Sequence, residues 1–412
     1  MTPTLVRRGL PCVALVGACL LAGPAVAEPL TLTQAIERAE EVSPDVHRQE
    51  LSSEAAEAQW LADPEAGAPQ IRLGVRDLDV ATNDEPQPRD PRWTARLRFP
   101  FPRPWDLATA RRQGQATVER EDAQLDGIKA QLREAVTRRF HSLPLARKAL
   151  VTARALTALR SKHADQVAAQ RAEGAATALD WLESEEDRRD AADREARLAS
   201  GVHALEAELR MMLDWPIGEP LELVEVDHGA RLEAALPDVD ALLDGMSERD
   251  PQVREAEAEI ARAEARLERL KLRALPWLDW AQAGASFEKE NPVSFDVSIA
   301  IDVPIYRWGA ARTKAASQEL TRARLDLSEA RSRTEKQLAA RLRSLEAARQ
   351  RWEVEKEHEA AVRSTVEPLL ELADALMKIE LESRLRRAEL RVLSALAEMV
   401  EQLDRLDAEA FR

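Results

Sequence analysis

The sequence predicts a mainly α-helical chain with a small β part, and three observations carry that prediction. Ala, Leu, Glu and Arg dominate the 412 residues, aromatic residues make up only 4%, and there are 14 glycines. A compact core of this size would bury far more aromatic surface, whereas long paired helices need mainly Ala and Leu seams. Two stretches of about 67 residues keep apolar residues at spacings of three and four with charges between them, and four short segments alternate apolar and polar residues at period two.

In chain order, residues 1–27 read as a secretion signal. Arg7 and Arg8 form a positive start, Leu10 to Ala22 is an apolar run too short to span a bilayer, and Ala25-Val26-Ala27 is a small-residue cleavage site. Val16-Gly17-Ala18-Cys19 also fits a lipidation site at Cys19, but the apolar run continues past it. Removing the signal takes away both cysteines, Cys12 and Cys19, and leaves no thiol for disulfides, catalysis or metal binding. It also moves the formal charge from −15 to −17, which argues against nucleic acid as a partner. No later apolar stretch approaches the length of a transmembrane helix, so a membrane crossing would have to be a closed barrel of strands.

The remaining chain follows one plan twice. Ser43-Pro44-Asp45-Val46 and Asp250-Pro251-Gln252-Val253 each open a helical run, and these end near Pro69 and Pro276. Both proline pairs are 207 residues apart, which marks a duplicated half and not a short-repeat solenoid. The expected division is a first repeat over 28–214, a connector over 215–249 and a second repeat over 250–412. Each repeat holds a helix (Thr33 to Leu61; Gln252 to Arg273), two strands, a long helix (Asp106 to Ala172; Gly309 to Met377), a break and a further helix. At 1.5 Å per residue each long helix would reach about 100 Å, with Gly127 and Pro144 as interruptions in the first and Pro368 in the second.

The strands narrow the choice of function. Val293 to Val303 places six apolar residues at alternate positions over eleven residues, a length that suits a tilted strand crossing a bilayer. Ile71, Leu73 and Val75 alternate with Arg72, Gly74 and Arg76, and Trp93, Ala95, Leu97 and Phe99 alternate with Thr94, Arg96 and Arg98. In the segment Trp277 to Phe287 the pattern is less regular, with Asp279 sharing a face with Ala281, Ala283, Ala285 and Phe287. Four strands cannot close a barrel, so membrane-spanning strands require several copies, and a trimer giving twelve strands is the natural solution. Arg72, Arg76, Arg96, Arg98, Asp296 and Asp302 would then face a wet lumen and set its electrostatic preference. Trp93, Trp277 and Trp280 near strand ends are candidate interfacial anchors.

The order of parts resembles the TolC-type outer-membrane efflux family over nearly all of the mature chain. The resemblance is carried by Leu30-Thr31-Leu32-Thr33-Gln34-Ala35-Ile36 before the first helix, by Phe99-Pro100-Phe101-Pro102 and Ile301-Asp302-Val303-Pro304-Ile305, and by Arg307-Trp308-Gly309-Ala310-Ala311-Arg312. Ala172-Glu173-Gly174-Ala175-Ala176-Thr177-Ala178-Leu179-Asp180 is similar to the family's turn between periplasmic helices. Ala375 to Leu381, where the second turn would be expected, has no glycine.

The resemblance implies a homotrimeric conduit in the outer membrane that extends into the periplasm. A twelve-stranded barrel in outer-membrane lipid would continue as an α-barrel of helices. The channel would work passively with a periplasmic adaptor and an inner-membrane pump, gated at the helix tips. Gly174, Ala175, Ala176 and Thr177 would form the tip that meets the adaptor.

No catalytic, cofactor or metal site is expected. His47, His141, His163, His203, His228 and His358 lack metal-ligand spacing and read as exposed helix-surface residues. Met211 and Met212, adjacent on a helix, point opposite ways. There is no phosphate-binding glycine loop. The alternative reading is a periplasmic coiled-coil structural or adaptor protein, but that would need a β-domain between its paired helices. The segment Trp215 to Asp240 is instead short, acidic and proline-rich.

Overall fold

A computed structural model describes residues 29–62, 68–76, 92–101, 103–226, 228, 232, 250–287, 293–303 and 308–410. The expected secretion signal and most of the 215–249 connector lie outside these residues. Along the chain come α1 (Leu32–Val42), α2 (Pro44–Ala62), β1 (Gln70–Arg76), β2 (Arg92–Pro100), α3 (Pro104–Ala172) and α4 (Ala178–Met212). They are followed by α5 (Pro251–Leu272), β3 (Trp277–Phe287), β4 (Ser294–Asp302), α6 (Trp308–Leu370) and α7 (Ala375–Ala410). The mainly helical fold with one small sheet is the expected class.

The first helix differs from the expectation of one continuous run. Thr31 caps α1 in a reciprocal box with Gln34, but Ser43 adopts extended backbone (ψ 117°) and the chain restarts as α2 at Pro44. The cause is local: proline lacks an N–H and pushes the preceding residue out of the helical region. The long helix α3 shows the reverse. It runs for 69 residues, about 100 Å, straight through Gly127 and Pro144. At Gly127 a Cβ would meet Pro251 Cβ at 3.4 Å, an ordinary contact that marks where α5 passes α3. At Pro144 the flanking Leu143 and Leu145 are both buried, so packing holds the helix through a residue that would otherwise bend it.

Helix α3 packs along α4, α5 and α7, while α6 packs on α5 and α7. The main core joins Ala35 and Ala39 of α1, Val136, Phe140, Leu143 and Leu150 of α3, and Val202 and Leu209 of α4, closed by Leu213 and Leu221. Its α3 members recur at four, three and seven residues, the heptad spacing of interlocking helix seams. Smaller seams repeat the scheme, as where Ala263 and Leu267 of α5 meet Ala316 and Leu320 of α6. After α4 the chain returns to its own start. Leu30 N–H donates to Glu222 O (2.8 Å) and Val224 N–H to Leu30 O (2.9 Å), and the Arg38 guanidinium lies 4.6 Å from the centre of the Trp215 ring. The described part of the connector thus covers the middle of the helical body.

The strands form one antiparallel sheet in the order β1-β2-β3-β4. The register aligns Ile71, Leu97, Ala283 and Val297 in one cross-strand row and Arg72, Arg96, Gly284 and Asp296 in the next. One irregularity between Leu278 and Trp280 shifts the phase of β3, so that Leu278 pairs with Ile301 while Trp280 pairs with Ala300. This bulge explains the uneven pattern of that strand. Asp279 does not share the apolar face of Ala281 and Ala283 but lies 3.9 Å from Arg98.

Phe140 is about 1% exposed whereas Val151, on the same helix, is 65% exposed. Phe140→Ala is expected to remove about 3–5 kcal/mol and Val151→Ala less than about 0.5 kcal/mol. Thermal unfolding followed by helical circular dichroism in detergent distinguishes the two.

Candidate pore-lining face and helix tips

The sheet has two chemically opposite faces. On one, Ile71, Leu73, Trp93, Phe295, Val297, Ile299 and Ile301 are all at least 60% exposed. Leaving so much apolar surface uncovered is unfavourable in water, and a contiguous patch of this kind marks a membrane or protein contact. On the other face, Arg72, Thr94, Arg96, Arg98, Gln282, Ser286, Asp296 and Ser298 line up by the same register. Four of the six residues expected to line the lumen, Arg72, Arg96, Arg98 and Asp296, therefore occupy a single face. Arg76 holds the register position opposite Arg92, but its side chain lies outside the described residues. Asp302 sits at the helix end of the sheet, 2.5 Å from Arg103.

Charge is partly compensated on this face. Arg96 lies 3.9 Å from Asp296, two strands away, and Arg98 lies 3.9 Å from Asp279. Arg96 reaches Asp296 across Gly284. A Cβ at Gly284 would meet Asp296 Oδ1 at 2.5 Å and Arg96 Cγ at 3.0 Å, so glycine is the residue that lets the two charges approach. Arg92 donates to Ser286 Oγ (3.0 Å) and Ser294 Oγ (3.4 Å), and Arg72 to Gln70 Oε1 (3.1 Å). Arg92 was missed in the sequence although it continues the alternation of Arg96 and Arg98. Gly284 could not be found without the register.

The tryptophans divide. Trp93 stands on the apolar face at the strand end remote from the helices. Trp280 instead lies on the polar face beneath Arg98, with the guanidinium 4.4 Å from its ring centre. Trp277 packs edge-on to Trp105 at 4.7 Å and donates to Phe101 O (3.0 Å). Trp280 keeps step with Gln282, Gly284 and Ser286, which face the same way, and the bulge before it changes the face of Trp277 and Leu278 instead.

At the far end of α3 the chain turns through Glu173 to Thr177. Gly174 takes φ +80°, the left-handed region that glycine enters without strain, and Ala175 N–H donates to Gln170 O (2.8 Å). Thr177 caps α4 in a reciprocal box with Asp180. The backbone and hydroxyl hydrogen bonds from Thr177 hold the Asp180 carboxyl below its usual range. Of the four expected tip residues, Gly174 makes the turn and Thr177 starts the next helix, with Ala175 and Ala176 between them.

The second turn is not at Ala375 to Leu381, which is helical. It lies at residues 371–374, where Asp374 Oδ1 accepts from Met377 N–H (2.8 Å). Among the described residues the only non-glycine positive φ is at Asp214, so this turn closes without the left-handed residue that would call for glycine. Both turns expose apolar side chains: Leu179 and Leu182 at the first, Leu372 and Met377 at the second.

Behind the tips, Arg160 of α3 is 3% exposed. It lies 3.1 Å from Asp187 of α4 and 2.7 Å from Glu380 of α7, joining three helices. Burial opposes ionisation of Glu380. The hydrogen bond from Arg384 and the charge and hydrogen bond of Arg160 outweigh it, so the carboxyl titrates below its usual value of 4.5. The Arg387 guanidinium is pushed down by burial and by Arg160 beside it.

Higher up α3, two histidines depart from the expected exposed positions. His141 is buried with Nδ1 2.8 Å from the buried Asp404, and its ring lies 5.3 Å from that of buried His228. A carboxylate 263 residues away in sequence made this burial possible and invisible in the local pattern.

No family model and no curated protein matches the sequence. Solved structures do. CusC aligns at a TM-score of 0.71 and 15% identity over 92% of this chain and 91% of its own, in a study of its folding and transmembrane channel formation. The open-state MtrE outer membrane channel of Neisseria gonorrhoeae aligns at 0.71 and 16% over 92% and 88%. The outer membrane protein VceC of Vibrio cholerae aligns at 0.71 and 11% over 92% and 95%. Nearly the whole chain, helices and sheet together, has the fold of the TolC-type outer-membrane channels.

Proposed function

We propose that this chain is one protomer of a homotrimeric outer-membrane channel that conducts substrate passively from the periplasm to the outside. The observation that carries the proposal is the sheet: fully apolar on one face, charged on the other, and with both edge strands β1 and β4 unpaired among the described residues. In lipid such edges must be paired, and closing the sheet with two further copies gives twelve strands. Lipid then meets Ile71, Leu73, Val297 and Ile299, and the arginine face becomes the lumen.

The helices, about 100 Å long, are suited to carry the lumen through the periplasm, so the protein would lie in the outer membrane and extend inward. The exposed leucines of the two turns, together with Gly174 to Thr177, form the surface for a periplasmic adaptor working with an inner-membrane pump. The Arg160 cluster is the tie that holds neighbouring helices together near that end. The division into repeats over 28–214 and 250–412, joined by 215–249, belongs to the same reading, as does removal of residues 1–27 on export. Such a conduit performs no covalent chemistry and needs no cofactor.

Protein purified from outer membranes in detergent is expected to have a trimer mass and to give discrete, long-lived conductance steps in planar bilayers. A soluble periplasmic protein without conductance would leave the structural coiled coil standing instead. Gly284→Leu is expected to force Arg96 and Asp296 apart and abolish regular steps, while Gly201→Ala, with open space around it, retains them.

The Glu380 carboxyl, held below 4.5, contributes its tie fully above that pH and loses it as pH falls through the lower folded value. Glu380→Gln at neutral pH is therefore expected to lengthen channel openings, and the wild type to approach that behaviour only in acid, below the usual carboxylate value of 4.5. Open-time distributions recorded across pH check both.

A further inference from the structure

The polar face of the sheet reverses the charge balance of the chain that carries it. The whole sequence has 74 acidic and 59 basic residues. The four strands, by contrast, hold five arginines and three aspartates and no lysine or glutamate. On the described polar face Arg72, Arg92, Arg96 and Arg98 stand against Asp279 and Asp296, while Asp302 is taken by Arg103. Arg72 and Arg92 bond only neutral oxygens, and among the described residues neither has a carboxylate partner.

From this we infer that the strand-lined part of the conduit selects for anions, so that small anionic solutes are the favoured class passing through it. The inference rests on the channel reading above and deepens it. Among the described residues, each copy brings an excess of two positive charges to this face of the strands. That excess survives any pairing between copies: if a neighbour's Asp296 turned to Arg72, its own Arg96 would lose its partner and the sum would not change. Three copies place six uncompensated guanidinium charges in a tube walled by apolar side chains and lipid, where low-dielectric walls focus the field. Guanidinium is always charged and offers forked donors that match carboxylates and phosphates, so the filter holds at every physiological pH. The serine, threonine and glutamine side chains between the arginines supply neutral hydrogen-bonding groups that let a hydrated anion move from one charge to the next.

The test is the zero-current potential of single channels in planar bilayers under a potassium chloride gradient. Chloride is expected to be more permeant than potassium at 0.1 M salt. The preference should shrink toward unity at 1 M, as the screening length falls from about 10 Å to about 3 Å. Arg72→Gln with Arg92→Gln is expected to remove the preference, and Asp296→Asn to strengthen it, with trimer formation checked by mass for each variant. Channels that prefer potassium, or whose preference ignores both changes, overturn the inference while leaving the channel standing. Absence of any conductance step overturns the channel reading, and this inference with it. Should the arginine variants fail to assemble, the sign of the wild-type potential and its response to Asp296→Asn still decide.

Discussion

A β-sheet edge in hydrocarbon has no water to satisfy its N–H and C=O groups, and the proposed channel is the answer to that constraint. The sheet is too small to close on itself, yet its outer face is too apolar to stand in water. Those two properties conflict within a single copy and would be reconciled by copies that share edges, as proposed above. The inner face could then be polar without penalty, because the same closure that would hide the edges would enclose a wet channel. Even the choice of glycine at 284 belongs to this logic, since a charged pair facing inward has to be accommodated within a small cross-section.

The helices answer a different demand, that of reaching far with few residues in the cross-section. A packed body of the usual kind gains stability from large aromatic side chains at its centre. Here the seams are built from Ala and Leu at heptad spacing, so that four long helices approach closely along their length. Ion pairs such as Arg266 with Glu319 (2.7 Å) and Arg351 with Glu398 (2.8 Å) border these seams. Exposed pairs of this kind contribute little stability each, and register between helices rests on the buried positions instead.

Much of this was legible in the sequence because it is periodic. A strand with one apolar face writes its orientation into alternate residues, so Arg72, Arg96, Arg98 and Asp296 could be assigned to one side before any register was known. The proline pairs marked where helices begin, because proline acts on its own neighbours. What escaped detection depends on distant partners or on a single irregularity. Asp279 left the apolar face through one bulge. His141 is buried only because Asp404 arrives from the other end of the chain. The second turn was expected too late because it uses no glycine, and Asp374, which caps the helix after it, looks like any other surface carboxylate.

Pro144 gives the long helix a mechanical character. Helix α3 runs unbroken on both sides of it, with Leu143 held in the main core and Leu145 buried beside it. The helix is thus a lever with a clamped pivot and two rigid arms, the shorter extending 28 residues to Ala172, or about 42 Å. A tilt of about 10° at the pivot carries the end of that arm by about 7 Å. In the proposed trimer, a modest adjustment of packing in the middle of each copy would widen or shut an aperture at the bottom without any helix having to unfold.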